Sequence, residues 1–237
     1  MKRMFIGTLI LSVFCIIICV LVSVFLPGIS TSNEEVAAKD TKSPAQINTE
    51  SLHSQLVSHS EKIDSGLELY RSLQSRAGVI NFYTNVTGNT DIALAVLEYA
   101  DKNSIPLSLA FSLAYAESRY QIDAVNTNSN ESTDRGLFQL NDKSFPLLTE
   151  ADFFNPYISA KYGMSHLRFC IDTAGNEIAG LAMYNAGSNK VRRNNTPQHT
   201  LNYVSVIMNY REGLEALFRT QVAAIYKPDL GITIAKK

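Results

Sequence analysis

The sequence predicts a mainly helical protein, with at most a small β-hairpin, behind an N-terminal transmembrane or signal helix. Three observations carry this. Met4–Leu26 is uncharged and dominated by Ile, Leu, Val and Phe. Leu107–Ala116 is apolar nearly all round, broken only by Ser108 and Ser112, which suits a helix inside a domain rather than on its surface. Between them and after them, short apolar stretches are separated by capping and stop signals, such as Gly88-Asn89-Thr90-Asp91, Asn155-Pro156 and Asn185-Ala186-Gly187.

Lys2 and Arg3 precede the apolar run, and residues 1–29 form the membrane or signal segment. The run is long enough to span a bilayer, which takes about 20 residues, and longer than the apolar core of a signal peptide, about 7–15 residues. Those lengths favour an uncleaved anchor at residues 4–26. A cleaved signal is the alternative, because Gly28-Ile29-Ser30 follows the helix-breaking Pro27 with small residues. Cys15 and Cys19 each follow a bulky residue and do not read as lipidation sites. Either way the basic end stays in the cytoplasm and the rest lies beyond the membrane.

Residues 30–46 are rich in Ser, Thr, Ala, Lys and Glu and read as a flexible linker, since they bury too little to fold. Residues 47–88 read as a helical support segment. Leu52, Leu56, Ile63, Leu67, Tyr70 and Leu73 recur at mostly helical steps, fitting either a support packed on the next domain or a partner-binding coil. Residues 89–211 form the main domain, with helices expected over Ile92–Asp101, from Leu107 to Glu117, from Pro156 through Cys170, over Asn176–Tyr184 and over Asn202–Arg211. The polar loop Asp123–Arg135 is a flap or the short β-hairpin. Residues 212–237 supply a C-terminal helix, periodic to Ile225, and a tail.

A net charge of −1 gives no basic footprint for nucleic acid. Lys190, Arg192 and Arg193 read as a solvated loop. Cys170 is the one cysteine outside the apolar run, so it forms no internal disulfide and reads as a buried small hydrophobe. The four His show no metal-ligand spacing.

Glu117 closes the apolar helix. Leu113 and Ala114 lie one turn before it and Ala110 two turns before. A carboxylate there loses solvation, so its neutral form is favoured and its pKa rises. An acid protonated near neutral pH can donate to a leaving glycosidic oxygen. Asp123, Asp134 and Asp142 are the candidates for a second acid, but each lies in or beside a polar loop where turn-forming Asp is ordinary, and none stands out.

Glu117-Ser118-Arg119-Tyr120 followed by Gly136-Leu137-Phe138-Gln139-Leu140 resembles the Glu-Ser and Gly-Leu-Met-Gln-Ile signatures of the soluble-type lytic transglycosylases, lysozyme-like enzymes of the bacterial cell wall. Met183-Tyr184-Asn185-Ala186-Gly187 is similar to that family's Ala-Tyr-Asn-Ala-Gly. Pro197 to Val204 is similar to its Pro-x-x-Thr-x-x-Tyr-Val. The resemblance covers roughly Thr90 to Arg211 and implies a lysozyme-like catalytic domain of the goose type acting on peptidoglycan glycan strands, without metal or organic cofactor.

The resemblance further implies a one-carboxylate route with Glu117 as acid and then base. Ser118 would orient the glutamate or simply cap the helix. Gln139 would bond the glycan or be an ordinary exposed Gln on a helix face. Tyr184 and Asn185 would hold the sugar, and Tyr203 would bond Glu117 and help set its pKa. Phe138 stands where the family has Met and is expected to crowd the cleft slightly. Ser159 stands where it has Asn. The basic run at Lys190–Arg193 could meet anionic stem peptides. Two rival readings stay open: a goose-type muramidase that hydrolyses the same bond, and a catalytically silent wall-binding protein of the same fold.

Overall fold

In the computed structural model, residues 65–227 are described. The membrane or signal run, the linker, the periodic residues up to Ile63 and the last residues of the tail lie outside them. No helix among the described residues is long and apolar enough to cross a membrane.

The described residues begin with α1 (Ser65–Arg71) and α2 (Arg76–Thr87), the latter stopped by Gly88 in the left-handed conformation, its N–H bonded to the Thr84 carbonyl. Leu67 and Leu69 are buried, but Leu73 falls between the two helices and is 87% exposed, so the helical spacing that includes it does not place it in a core. These helices join the core through rings. Tyr83 stacks on Phe111 at 3.9 Å, and Phe82 meets Phe218 edge-on.

α3 (Thr90–Lys102) starts where the Asn89 side chain accepts from the N–H groups of Asp91 and Ile92. Its charges suit the helix dipole, with Asp91 in the first turn and Lys102 in the last. α4 (Leu107–Ser118) follows Pro106. It is buried from Leu107 to Ala114, as its uniformly apolar sequence requires, and Arg119 and Tyr120, both at positive φ, turn the chain away after Glu117.

The polar loop folds into the short hairpin, β1 (Val125–Thr127) and β2 (Thr133–Arg135), and a third strand after it, β3 (Leu140–Asn141), adds to β2, antiparallel in that order. Val125 pairs with Arg135 and Asp134 with Asn141. Between β2 and β3 the stretch from Gly136 to Gln139 is a turn, not a helix. Gly136 has a φ of +77°, and a Cβ there would meet the Phe153 carbonyl oxygen at 1.9 Å, so only glycine fits.

α5 (Glu150–Phe154) opens with a capping box between Thr149 and Asp152. α6 (Pro156–Ala174) is capped by Asn155 with Pro at its first position, and α7 (Glu177–Ala186) by Asn176. After the short α8 (Ser188–Arg192) comes α9 (Gln198–Phe218), which runs well past Arg211 before a π-helical turn, Arg219–Ala223, and a last turn of helix, α10 (Ala224–Tyr226). α4 packs against α9, α6 against α3 and α7, and α9 against α7. Arg211 ties the last two together by pairing with Glu177 at 2.5 Å and Glu215 at 2.8 Å.

Candidate active site

A cleft opens between the end of α4, the small sheet, the end of α7 and the start of α9. It has two arms, about 640 and 660 Å³, that meet at Glu117, Asn128, Asp134, Gln139 and Asn185.

Glu117 comes to the cleft because Arg119 and Tyr120 stop α4 just beyond it. The residue is half-buried, with Leu113, Ala114 and Ala110 fully buried in the turns before it. The Tyr203 hydroxyl, 86 residues away on α9, donates to Oε1. Burial is the largest influence on the carboxyl and raises its pKa from 4.5 to about 8; the Tyr203 bond opposes the rise, and the charge of Asp134 adds to it. At pH 7 the side chain is thus mainly a neutral acid held by a phenol. Tyr203 is itself held protonated, first by burial and then by the neighbouring glutamate charge.

Ser118 is buried. Its Oγ donates to the carbonyls of Leu137 at 2.9 Å and Ala114 at 3.2 Å, joining the end of α4 to the turn after β2. Both partners are backbone carbonyls, not Glu117. The Tyr184 hydroxyl donates to the Phe138 carbonyl at 3.0 Å and faces the same turn. Asn185 is exposed to the cleft; its Oδ1 accepts from Thr200 at 2.8 Å, which fixes the amide and directs its N–H donors away from Thr200. Gln139 sits at φ 47° in the turn rather than on a helix face. Its Nε2 donates to the carbonyls of Ala124 and Gly136, both at 3.0 Å, and so spends its donors on backbone.

Two positions differ from expectation or take a different part. Phe138 does not crowd the cleft: it is fully buried, and a Cβ on Gly163 would meet its Cγ at 2.6 Å, so the ring fills the space that glycine leaves on α6. Ser159, also fully buried, accepts from the Phe138 N–H at 3.2 Å and thereby supports the same turn.

Of the three loop carboxylates, Asp134 is the one in the cleft. It lies on β2, accepts from Asn128 at 2.8 Å and Asn141 at 2.7 Å, and its charge reaches Glu117. Asp142 pairs instead with Arg135 at 3.0 Å, and Asp123 is exposed outside both arms. No local feature distinguishes Asp134 in sequence from any turn Asp; only the strand register brings it to Glu117. Thr200 and His199 also reach the site, Thr200 through Asn185 and His199 as part of one arm's wall. Among the described residues no group of three or more His, Cys, Asp or Glu could hold a metal ion.

The described residues thus form a mainly helical domain with a three-stranded sheet and a half-buried carboxyl in a two-armed cleft. Residues 94–206, just under half of the chain, match the model of the Transglycosylase SLT domain. The chain is also 29% identical over 99 residues to Protein IpgF of Shigella flexneri, a match covering 39% of this chain and 65% of that protein. No solved structure matches it.

Proposed function

We propose that this protein is a peptidoglycan lytic transglycosylase that cleaves the β-1,4 bond between N-acetylmuramic acid and N-acetylglucosamine and leaves 1,6-anhydromuramic ends. The observation that carries the reading is Glu117, protonated by burial at neutral pH yet in contact with a phenol that stabilises its ionised form. Both states are needed. Neutral Glu117 donates its proton to the glycosidic oxygen as the C1–O bond breaks, and the substrate's N-acetyl oxygen bonds to C1, spreading the positive charge over the acetamido group. The Glu117 carboxylate, held by Tyr203, then takes the proton of the muramyl 6-hydroxyl. O6 bonds to C1, the acetamido oxygen leaves, and the glutamate is again neutral. No water is consumed.

In this scheme Tyr184 and Asn185 flank the muramyl ring, with the Asn185 amide as donor to a substrate oxygen. Gln139 offers Oε1 to the glycan. Ser118 sets the position of Glu117 by tying its helix end to the turn. A second reading, hydrolysis in the goose-lysozyme manner, is favoured by Asp134, a second carboxylate on the opposite wall of the cleft. Mass analysis of soluble products from sacculi separates the two. Anhydro ends, 18 Da lighter than reducing ends by the loss of about one water, are expected; reducing ends would assign the hydrolytic route, and no soluble product would leave a silent wall-binding domain.

We also propose that the domain works on the outer side of the cytoplasmic membrane, held there by residues 4–26. The sequence of that run supports this. Full-length protein is expected in membranes washed with high salt. A soluble mature form beginning near Thr31 would replace the anchor with a cleaved signal.

A further inference from the structure

One arm of the cleft is walled by aromatic rings that the scheme above leaves unused. Leading outward from Tyr184, the His166 ring lies 5.0 Å from it. Phe169, three residues on along α6, lies within 17° of parallel to His166 with centroids 6.3 Å apart. The Phe145 ring meets His166 at 90° and backs it from the other side. The two near-parallel, stacked rings lead from Tyr184 to the surface along one wall of the arm.

Phe169 is 58% exposed in that strip. A phenyl ring costs solvation free energy when left in water, and a single exposed apolar residue is ordinary on a surface. An exposed ring stacked on a second one, lining a concave cavity of about 660 Å³ that also contains Glu117, is a different case. Ligand clefts are lined in this way, by apolar rings with a few convergent polar groups. The polar group at hand is Lys190 of α8, which lines the same arm and has no carboxylate within ion-pair distance among the described residues. His166 adds no opposing charge at neutral pH, because burial lowers its pKa.

We infer that this arm binds a peptide-bearing sugar of the glycan strand, its ring face lying against the exposed Phe169 ring, which His166 backs, and a carboxylate of its peptide paired with Lys190. The inference rests on the proposed peptidoglycan substrate and deepens it: the enzyme selects strands that still carry acidic peptides over bare ones. The chemistry follows from the wall. The apolar C–H face of a pyranose suits an aromatic face, and an unpaired ammonium suits an anion. The other arm, lined by Arg119, Gln121 and Asn126, has no ring pair of this kind.

The test uses the full chain with Glu117→Gln, so that ligand is bound and not consumed. Two ligands are compared by calorimetry: a muropeptide tetrasaccharide with its peptides, and the same tetrasaccharide after an amidase has removed them. Adding Phe169→Ala is expected to weaken both by about tenfold, the loss typical of truncating an aromatic anchor, and Phe169→Tyr to restore them. Adding Lys190→Ala is expected to weaken only the peptide-bearing ligand, and to do so less at high salt. Unchanged affinity in the Phe169→Ala chain would overturn the ring platform. Equal affinity of the two ligands, or a Lys190→Ala chain that binds both like its parent, would overturn the selection for peptides. Failure of the Glu117→Gln chain to bind either ligand would overturn the substrate reading itself, a result distinct from the others.

Discussion

Replacing Glu117 with Gln is expected to abolish release of soluble fragments from sacculi while leaving the fold intact. Gln keeps nearly the shape of Glu and accepts from Tyr203, but it can neither give the first proton nor take the second. A positioned acid or base alone is worth about 10²–10⁴ in rate, and here one group serves both steps. The same substitution should leave stability at neutral pH equal or higher. Below the ordinary pKa of 4.5 the acid is neutral in folded and unfolded chains, and its burial has no ionisation cost. As pH rises from 4.5 towards about 8, the unfolded chain ionises and the folded one does not, so stability is lost across that window. Each pH unit within it is worth about 1.4 kcal/mol, on the order of 3 kcal/mol by pH 7. Thermal melts of parent and variant should therefore coincide at pH 4 and separate as pH rises, with the variant the more stable. A variant that melts below the parent at pH 8 would show that Glu117 is not desolvated. One that releases fragments at the parental rate would show that it is not the acid.

Tyr203→Phe is expected to slow the reaction about ten- to hundredfold and to move its pH profile. The Tyr203 hydroxyl favours the ionised form of Glu117, so its loss raises the glutamate pKa further. The alkaline limb of kcat/KM, where the required acid is lost, should shift to higher pH. The rate falls because the carboxylate formed by proton donation has lost its donor. A hydrogen bond to a charged group is worth about 1.5–3 kcal/mol, which is the stated range of rates. Phe preserves the packing of a half-buried ring, so melting should change little. An unmoved pH limb with an unchanged rate would remove Tyr203 from the site.

Much of this arrangement is legible in sequence, and the rest has identifiable physical reasons for being hidden. α4 stands out because it has no polar face, and Glu117 because it ends that helix. The caps at Asn89, Asn155 and Asn176 mark three helix starts through one short-range chemistry. The third strand is only Leu140–Asn141, too short for alternation to show. Its neighbours Leu137 and Phe138 look helical by composition and are instead turned inward by Gly136 and Gln139, both at positive φ. That turn, and not size, decides that Phe138 faces Gly163 rather than the cleft. The length of α9 is blurred because Leu201, Val206 and Leu217 lie on its exposed side and break the stripe formed by Val204, Ile207, Leu214 and Phe218. Asp134 is invisible because its neighbourhood depends on cross-strand register with Asn141, which no local pattern encodes.

The partners at the centre of the cleft are far apart along the chain. Glu117 and Tyr203 are joined across 86 residues, and Ser108 and Glu215, on the same two helices, across 107. Such contacts close late in folding, because the chain between them must first lose its freedom. α9 supplies the Tyr203 donor to Glu117 and packs on α4, so the environment that raises the glutamate pKa depends on its docking. The pairing of acid and phenol is thus a property of the finished fold, and a chain truncated before Gln198 keeps the glutamate without the Tyr203 donor.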